Sequence, residues 1–232
     1  MTACRLVIAD DHPLFRDALR LTIGQTLGEV EIAEADSFDS LRARLDAVAE
    51  TDLVLLDLNM PGIRGFSGLL YLRAAFSAVP VAIISANEEP RVMRLAIELG
   101  AVGYIPKSAT PGEIRAALSA LLAGETWVPA ALDLRRPAED PDAALVAGLA
   151  NLTPQQVRVL MMLSDGLLNK QIAHQLEVTE ATVKAHVSAI LQKLRVDNRT
   201  QAVIVARRLA GELGASQPDL AAPPRLDDRP GA

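Results

Sequence analysis

Acidic side chains follow two apolar segments in the first half of the chain. Residues 6–9 lead into Asp10 and Asp11, and residues 53–56 lead into Asp57, which precedes a proline–glycine turn. Short apolar runs bounded by turn residues predict buried strands. A carboxylate at the carboxyl end of such a strand lies where open α/β sheets bind ligands. The ordinary alternative for Asp57 is an aspartate that only caps the following loop.

Three neighbouring carboxylates indicate phosphoryl chemistry. They repel one another strongly, and a Mg²⁺ ion among them would relieve the repulsion because it prefers oxygen ligands. A carboxylate can also attack phosphorus to give an aspartyl phosphate. The metal and Lys107, which follows another apolar segment, would neutralise the phosphoryl oxygens. Ser85 could offer its hydroxyl to the same group.

The elements that must position these residues form an alternating series. Apolar patterning predicts strands at residues 6–9, 30–33, 53–56, 81–84 and 102–105, with helices after them. Five strands alternating with five helices predict an α/β fold with a doubly wound, five-stranded parallel sheet. The second strand alternates in polarity and is expected at an edge. The strand ends then collect Asp10, Asp11, Asp57, Ser85 and Lys107 at one edge of the sheet.

Charge is divided unevenly along the 232 residues. Residues 1–150 carry 13 basic and 21 acidic side chains, whereas residues 151–213 carry 8 and 5. An acidic first part and a basic second part indicate different partners for each. Cys4 is the single cysteine, so no intrachain disulfide can form, and we expect it to be an inert core residue. The absence of a leader pattern and of long apolar runs predicts a cytoplasmic protein without a membrane partner.

Three stretches together resemble the receiver domain of two-component response regulators. They are ADDHPLFR at 9–16, LDLNMPG at 56–62 and GYIPKS at 103–108, and the resemblance covers residues 5–123. It implies that Asp57 is the phosphoacceptor and that Tyr104 is an aromatic switch residue. It also implies a Mg²⁺ site formed by Asp10, Asp11, Asp57 and the carbonyl of Asn59, with Ser85 and Lys107 as phosphoryl ligands.

Ordinary structural roles remain open for three of these residues. Tyr104 could be a half-buried strand aromatic, and Lys107 could be a solvated lysine at a strand end. His12 follows the acidic pair, and we expect a structural or loop role for it because Mg²⁺ prefers oxygen ligands.

Composition predicts four segments. We assign a receiver domain to residues 1–128, a flexible linker to 129–150, a helical domain to 151–213 and a disordered tail to 214–232. Mixed charges and prolines prevent a packed element in much of the linker, although residues 143–150 could form a turn of helix. Trp127 is expected to pack at the end of the first domain. The tail contains four prolines among alanine, aspartate and arginine residues, a composition typical of disordered segments.

The second half shows the pattern of a helix-turn-helix motif. Thr153, Asn169, Thr179 and Asn198 are predicted helix caps. The helix after Thr179, residues 180–194, has one apolar face and one face of small or basic residues. Such a face can approach base edges in the major groove, although an ordinary solvated helix has the same periodicity.

Residues 152–210 resemble the LuxR-type DNA-binding domain. The matching stretches are LTPQQVRVL, NKQIA, VTEATVKAHV and KL. Family members usually carry an acid at one of the positions of Gln155 and Gln156, but glutamine can fill the same cap. The resemblance makes residues 180–194 the recognition helix, with His186 at its flank and the last helix as a dimer contact. Candidate DNA contacts are Lys170, Thr182, Lys184, Ala185, Ser188, Lys193 and Arg199, and candidate dimer contacts are Val203 and Ile204.

The two resemblances combine into a NarL/FixJ-type response regulator. They imply that a sensor histidine kinase phosphorylates Asp57 and thereby controls homodimerisation and binding to double-stranded promoter DNA, with RNA polymerase as a further candidate partner. We expect no turnover of an external substrate. Two alternatives are an aspartyl-phosphate phosphohydrolase and an unphosphorylated adaptor. The helix-turn-helix and the strand-1 acidic pair argue against the first, and the complete set of acids argues against the second.

Overall fold

The computed structural model describes residues 4–47, 50–134 and 143–209. In chain order the elements are β1 Cys4–Ala9, α1 Pro13–Leu27, β2 Val30–Ala35, α2 Phe38–Ala47, β3 Leu53–Asp57, β4 Asn59–Met60, β5 Ile63–Arg64, α3 Ser67–Ala75, β6 Val81–Ser85, α4 Pro90–Glu98, β7 Gly103–Pro106, α5 Pro111–Leu122, α6 Ala143–Ala150, α7 Pro154–Ser164, α8 Asn169–Gln175, α9 Glu180–Leu194 and α10 Arg199–Leu209.

The main sheet is parallel, with the strand order β2-β1-β3-β6-β7. This confirms the predicted doubly wound α/β fold, and β2 lies at an edge as expected. The strands β3 and β6 are buried along their whole length. Helices cover both faces of a parallel sheet, which is why these two strands are apolar at consecutive positions.

Alternate residues of each strand enter two separate cores. Leu6, Ile8, Leu53 and Leu55 pack with the buried residues of α1 and α5. Val7, Val54 and Leu56 pack on the opposite face, with residues of α2, α3 and α4. The alternation follows from the two-residue period of a strand, and it fixes the register that brings the strand ends level.

A small antiparallel hairpin follows Asp57 where the sequence predicted only a loop. Asn59 pairs with Arg64 and Met60 pairs with Ile63. Gly62, in the turn, has a φ of +93°, a conformation that glycine adopts without a Cβ clash. The hairpin is too short to carry a strand-like polarity pattern, so its sequence showed only the turn.

Trp127 adds a short bridge beside β7. The N–H of Tyr104 donates to Trp127 O at 2.9 Å, and the N–H of Trp127 donates to Val102 O at 3.3 Å. Gly103 permits this approach, because a Cβ at that position would lie 2.8 Å from Trp127 O. Trp127 therefore packs at the end of the first domain, as predicted.

The predicted caps of the second half are confirmed except for one. Thr153 and Thr179 accept from the third backbone N–H of their helices, and Asn198 accepts from Gln201. The cap prediction for Asn169 was wrong. Leu168 occupies that N-cap position and gives it no side-chain acceptor.

Residues 143–150 form the helix α6, in agreement with the turn of helix that the sequence allowed there. Val146 and Leu149 are buried, and a Cβ at Gly148 would lie 2.3 Å from the carbonyl oxygen of Lys193. The close approach of α6 to α9 makes this part of our linker assignment a packed part of the second domain. The predicted linker residues 135–142 and the predicted tail lie outside the described residues. In the described part of the chain, no helix is both long and apolar enough to cross a membrane.

Candidate functional site

The acidic residues meet where the strand order reverses. β1 and β3 are neighbours, with Ala9 paired to Leu56, so Asp10 and Asp57 leave adjacent strands at the same edge. Asp10 is 1% exposed and Asp57 is 4% exposed. Ligand atoms of Asp10, Asp11, His12 and Asp57 all lie within 4.8 Å of one another. The structure thus brings together the three carboxylates that the sequence predicted, in the crevice where such sheets bind ligands.

Lys107 bridges two of these carboxylates. Its Nζ lies 2.7 Å from Asp10 Oδ2 and 2.9 Å from Asp57 Oδ2. Its backbone N–H donates to Ser85 O at 2.8 Å, which continues the pairing of β6 with β7. The ammonium also lies 5.0 Å from the centroid of the Phe15 ring. Lys107 is therefore a site residue and not a solvated lysine.

The buried charges shift one another's pKa. Burial raises the pKa of Asp57, and the nearby charge of Asp10 adds to the rise, although the hydrogen bond and charge of Lys107 oppose it. Burial alone would lower the pKa of Lys107, but its contacts with Asp10 and Asp57 outweigh burial and raise it. One ammonium is thus held between the carboxylates of Asp10 and Asp57.

His12 contacts both acids of the β1–α1 loop. Its backbone N–H donates to Asp10 Oδ1 at 2.8 Å, and its Nδ1 lies 3.0 Å from the same oxygen and 2.7 Å from Asp11 Oδ1. The ring is 66% exposed. Its contacts hold the loop together, in line with the structural role expected from the sequence.

Ser85 and Tyr104 lie beside the acidic residues. Ser85 is buried at the end of β6, and its Oγ accepts from the N–H of Asn87 at 3.2 Å. The Tyr104 ring is fully buried, not half-buried, and its hydroxyl donates to Asn87 O at 2.6 Å. Burial raises the pKa of Tyr104 to about 12. The side chain of Tyr104 therefore lies inside the fold and is linked to Ser85 through Asn87.

Asn59 follows Asp57 by two residues and lies at the rim of the site. It is exposed, and its backbone hydrogen bond to Asp57 opposes the rise in the pKa of that carboxyl. Its position in β4 is fixed by its pairing with Arg64.

The second domain presents the outer face of α9 to solvent. Lys184, Ala185 and Ser188 are exposed, while Val183, Ile190 and Leu194 are buried against the other helices. Thr182 is only half-buried, and its Oγ1 lies 2.8 Å from that of Thr179. Lys184 pairs loosely with Glu180 at 3.4 Å. An exposed face of small and basic residues has the shape and charge that a DNA groove accepts.

Two of the three predicted phosphate contacts donate hydrogen bonds within the domain. Nζ of Lys193 donates at 2.8 Å to Asn151 O and to Gln156 Oε1, and so ties α9 to the start of α7. Arg199 donates to Asn169 Oδ1 at 3.1 Å and to the carbonyl of Leu167. These contacts satisfy helix-end and loop oxygens, and the contacts of Lys193 and Arg199 with DNA phosphates remain predictions.

The remaining predicted contacts of this domain differ in exposure. Lys170, at the start of α8, is exposed and stays a candidate phosphate contact. Val203 is half-buried and packs against the core of the domain. Ile204, also on α10, is half-buried. Only part of either side chain is therefore available for a dimer contact.

The two domains contact each other away from α9. The helix α3 packs against α7, and α6 also approaches α3. An open groove of about 370 Å³ lies between them, lined among others by Phe38 and Tyr71 of the first domain and Met161 and Met162 of the second. The recognition face therefore stays exposed while the domains are packed together.

Sequence reasoning missed one residue of the site. Arg16 donates to the carbonyl oxygen of Asp10 at 2.6 Å and to Glu34 Oε2 at 3.1 Å. The stretch 9–16 contained Arg16, but no role was inferred for it. The available signal was Glu34 near the end of β2, because its negative charge would hold the Arg16 side chain near the β1–α1 loop.

Comparisons with known proteins match both parts of the chain. Residues 6–119 match the model of the response regulator receiver domain, and residues 150–206 match that of the bacterial regulatory proteins of the luxR family. The glycerol metabolism activator of Pseudomonas putida is 40% identical, over 87% of this chain and 94% of its own. The nitrate/nitrite response regulator protein NarL of Escherichia coli K12 is 31% identical, over 86% and 93%.

A solved structure agrees with the fold. RcsB from Salmonella enterica serovar Typhimurium, bound to promoter rprA in the presence of the phosphomimetic BeF₃⁻, superposes with a TM-score of 0.52. It is 24% identical, covering 88% of this chain and 98% of that one. The fold, the two family matches and the relatives agree, and the chain belongs to the NarL/FixJ-type response regulators, the DNA-binding transcription regulators of two-component systems.

Proposed function

We propose that Asp57 accepts a phosphoryl group from a sensor histidine kinase and that this modification controls dimerisation and binding to promoter DNA. The observation that carries the proposal is the bridge from Lys107 to Asp10 and Asp57, at 2.7 and 2.9 Å. It places one cation between the acceptor carboxylate and the acidic pair. A phosphoryl group on Asp57 would therefore form beside a charge able to stabilise its oxygens.

The donor set fits a magnesium ion. Oxygens of Asp10, Asp11 and Asp57 lie within 4.8 Å of one another, and the single ammonium of Lys107 contacts only Asp10 and Asp57 among them. These carboxylates, together with the carbonyl of Asn59, would hold Mg²⁺. When bound, the ion would supply positive charge to the phosphoryl oxygens.

The residues of the chain have separate tasks in the transfer. A carboxylate oxygen of Asp57 attacks phosphorus, the new P–O bond forms, and the bond to the donor nitrogen of the kinase histidine breaks. The nitrogen leaves with the bonding electrons and takes up a proton. Lys107 would pair with one phosphoryl oxygen, and the Ser85 hydroxyl, which lies at the end of the adjacent strand, would donate to another.

Intact-mass measurement tests the acceptor. We expect the wild-type chain to gain one phosphoryl group when incubated with acetyl phosphate and Mg²⁺, and the Asp57→Asn variant to gain none. Neutral hydroxylamine cleaves an acyl phosphate and leaves a phosphoserine intact, which separates the two. A variant that still gains a hydroxylamine-labile phosphoryl group at the wild-type rate would refute the assignment.

The exposed face of α9 supports a particular form of control. Because the recognition face is not covered in the packed arrangement, phosphorylation would not need to uncover it. It would instead rearrange the two domains of each chain so that the DNA-binding domains of two chains reach adjacent half-sites. Binding of the first domain then raises the effective concentration of the second, which increases the affinity of the dimer. The fully buried Tyr104, next to Ser85 and Asn87, is the element that would respond to charge at Asp57.

Lys184 is the residue we propose for base discrimination. It is exposed on the outer face of α9 and is held only by a surface pair with Glu180, which contributes little. We expect Lys184→Ala to weaken binding at the preferred site by about 1–3 kcal/mol, mostly by relaxing specificity. Titrations on specific and random duplexes measure this. Equal loss on both would show that Lys184 contacts only the phosphate backbone.

A further inference from the structure

Arg16 joins three elements behind the acidic residues. Its Nη1 donates to the carbonyl oxygen of Asp10 at 2.6 Å, and its Nε donates to Glu34 Oε2 at 3.1 Å. The Arg16 side chain is only 15% exposed. Glu34 lies on β2, level with Ile8 of β1. One guanidinium thus connects α1, the β1–α1 loop and the edge strand.

The carbonyl that Arg16 binds belongs to the peptide between Asp10 and Asp11. The Asp10 side chain is held independently, by the His12 N–H at 2.8 Å and by Lys107 at 2.7 Å. Asp11 is different, because its side-chain contact is with the exposed ring of His12. Rotation of the Asp10–Asp11 peptide would redirect the Asp11 carboxylate. Holding this carbonyl therefore sets the direction in which Asp11 points.

We propose that Arg16 is a positioning residue for the divalent-cation site, acting through the Asp10–Asp11 peptide so that the Asp11 carboxylate faces Asp10 and Asp57. The inference rests on the proposed function, specifically on its metal site. Glu34 fixes the guanidinium from the other side and offsets its charge. A planar group with several donors suits this task, since it can reach two oxygens at once in a fixed geometry.

Electrostatics and positioning predict opposite signs for the loss of Arg16. A positive charge near a cation site repels the cation, so removing the charge alone would tighten binding. Removing a side chain that orients a metal-binding carboxylate weakens cation binding instead. The usual loss of metal affinity in such cases begins at about 10-fold. The direction of the change therefore separates the two roles.

Arg20 offers a matched control on the same helix. It lies one turn later, with Nε 3.9 Å from Glu34 Oε1, and it pairs with Asp17 at 3.0 Å. Neither Asp17 nor Glu34 belongs to the β1–α1 loop. Arg20→Ala removes the same charge from the same neighbourhood and leaves the Asp10 carbonyl with its donor.

The test is calorimetric titration of the unphosphorylated full-length chain with Mg²⁺ and with Mn²⁺. We expect Arg16→Ala to bind about 10-fold more weakly than wild type. Arg16→Lys should also bind more weakly, because one ammonium cannot reproduce the fork between Asp10 and Glu34. Arg20→Ala should bind as tightly as wild type or slightly more tightly. Circular dichroism checks the fold, and Arg16→Lys carries the test if the alanine variant unfolds.

The outcomes separate this inference from the proposed function. Equal or tighter binding by both Arg16 variants, or equal weakening by Arg20→Ala, overturns the positioning role. A wild-type chain that binds neither ion also overturns it. If the variants show the expected order of cation affinity but Asp57 gains no phosphoryl group, the result would support the positioning role of Arg16 and refute the proposed acceptor.

Discussion

Lys170 and Arg199 should respond differently to truncation although both are basic residues near the recognition helix. Lys170 is exposed at the start of α8, whereas Arg199 is half-buried and donates to Asn169 Oδ1 and to the Leu167 carbonyl. We expect Lys170→Ala to reduce DNA affinity on all sequences without changing stability. We expect Arg199→Ala to reduce stability without changing the salt dependence of binding.

The magnitudes follow from the number of contacts each residue makes. One lost phosphate contact lowers the slope of log affinity against log salt by about 0.9. The loss of DNA affinity in Lys170→Ala, relative to wild type, should therefore be about 3.5-fold smaller at about 200 mM salt than at about 50 mM. Arg199 loses two bonds from a charged donor in a half-buried position, for which about 2 kcal/mol of unfolding free energy is a reasonable value. Lys193→Ala should behave like Arg199→Ala, since it also donates to two oxygens.

Two measurements check this pair. Urea unfolding gives the stability of each variant, and fluorescence anisotropy with a labelled duplex at several salt concentrations gives the slope. A lower salt slope in Arg199→Ala with wild-type stability would refute the structural role. An unchanged slope in Lys170→Ala would show that this lysine does not contact a phosphate.

Three further variants test other parts of the structure. Leu168→Ser should raise the unfolding free energy by about 1 kcal/mol, because a serine at the N-cap can accept from the Gln171 N–H, and urea unfolding measures it. Burial raises the pKa of Asp57 above its ordinary value of 3.8, so ionisation of this carboxyl destabilises the folded state. The destabilisation is absent at a pH below the ordinary pKa and grows as the pH rises through the raised pKa. Asp57→Asn should therefore be more stable than wild type in Mg²⁺-free buffer near pH 7, with the difference shrinking as pH falls toward about 4, as thermal melts at several pH values would show. Gly103→Ala would place a Cβ 2.8 Å from Trp127 O, and we expect a loss of about 1–3 kcal/mol and a changed Trp127 emission spectrum.

The receiver fold could be predicted from sequence because its central strands β3 and β6 are buried on both faces. Such strands are apolar at nearly every position, and the turn residues after them mark their ends. The strand ends then bring Asp10, Asp57, Ser85 and Lys107 together by topology alone. The hairpin after Asp57 was not predictable in this way, because two-residue strands have no period to detect.

Side-chain direction was the main limit in the second domain. The spacing of Val183, Ile190 and Leu194 gave the buried face of α9 correctly. It could not show that Lys193 and Arg199 turn back to helix-end oxygens, because a charged side chain that satisfies a carbonyl has the same sequence signal as one that faces DNA. The cap at α8 failed for a related reason. Asn169 is a good cap by type, but its Oδ1 accepts from Arg199 instead.

The packing of α3 against α7 also had no signal in the sequence. Both helices are amphipathic, and periodicity shows an apolar face without showing its partner. The contact leaves the recognition face exposed. Under the function we propose, phosphorylation would therefore rearrange and pair the domains and would not need to release a covered helix.

The most direct test of this account measures oligomeric state and DNA affinity of the full-length chain together. Sedimentation and DNA titration would be run on wild type and on Asp57→Asn, each with Mg²⁺ and with or without beryllofluoride. We predict that beryllofluoride shifts the wild type to a dimer and tightens binding to the preferred duplex, and that Asp57→Asn ignores it. Dimerisation and affinity that are the same with and without beryllofluoride in the wild type, or that respond equally in Asp57→Asn, would contradict the account.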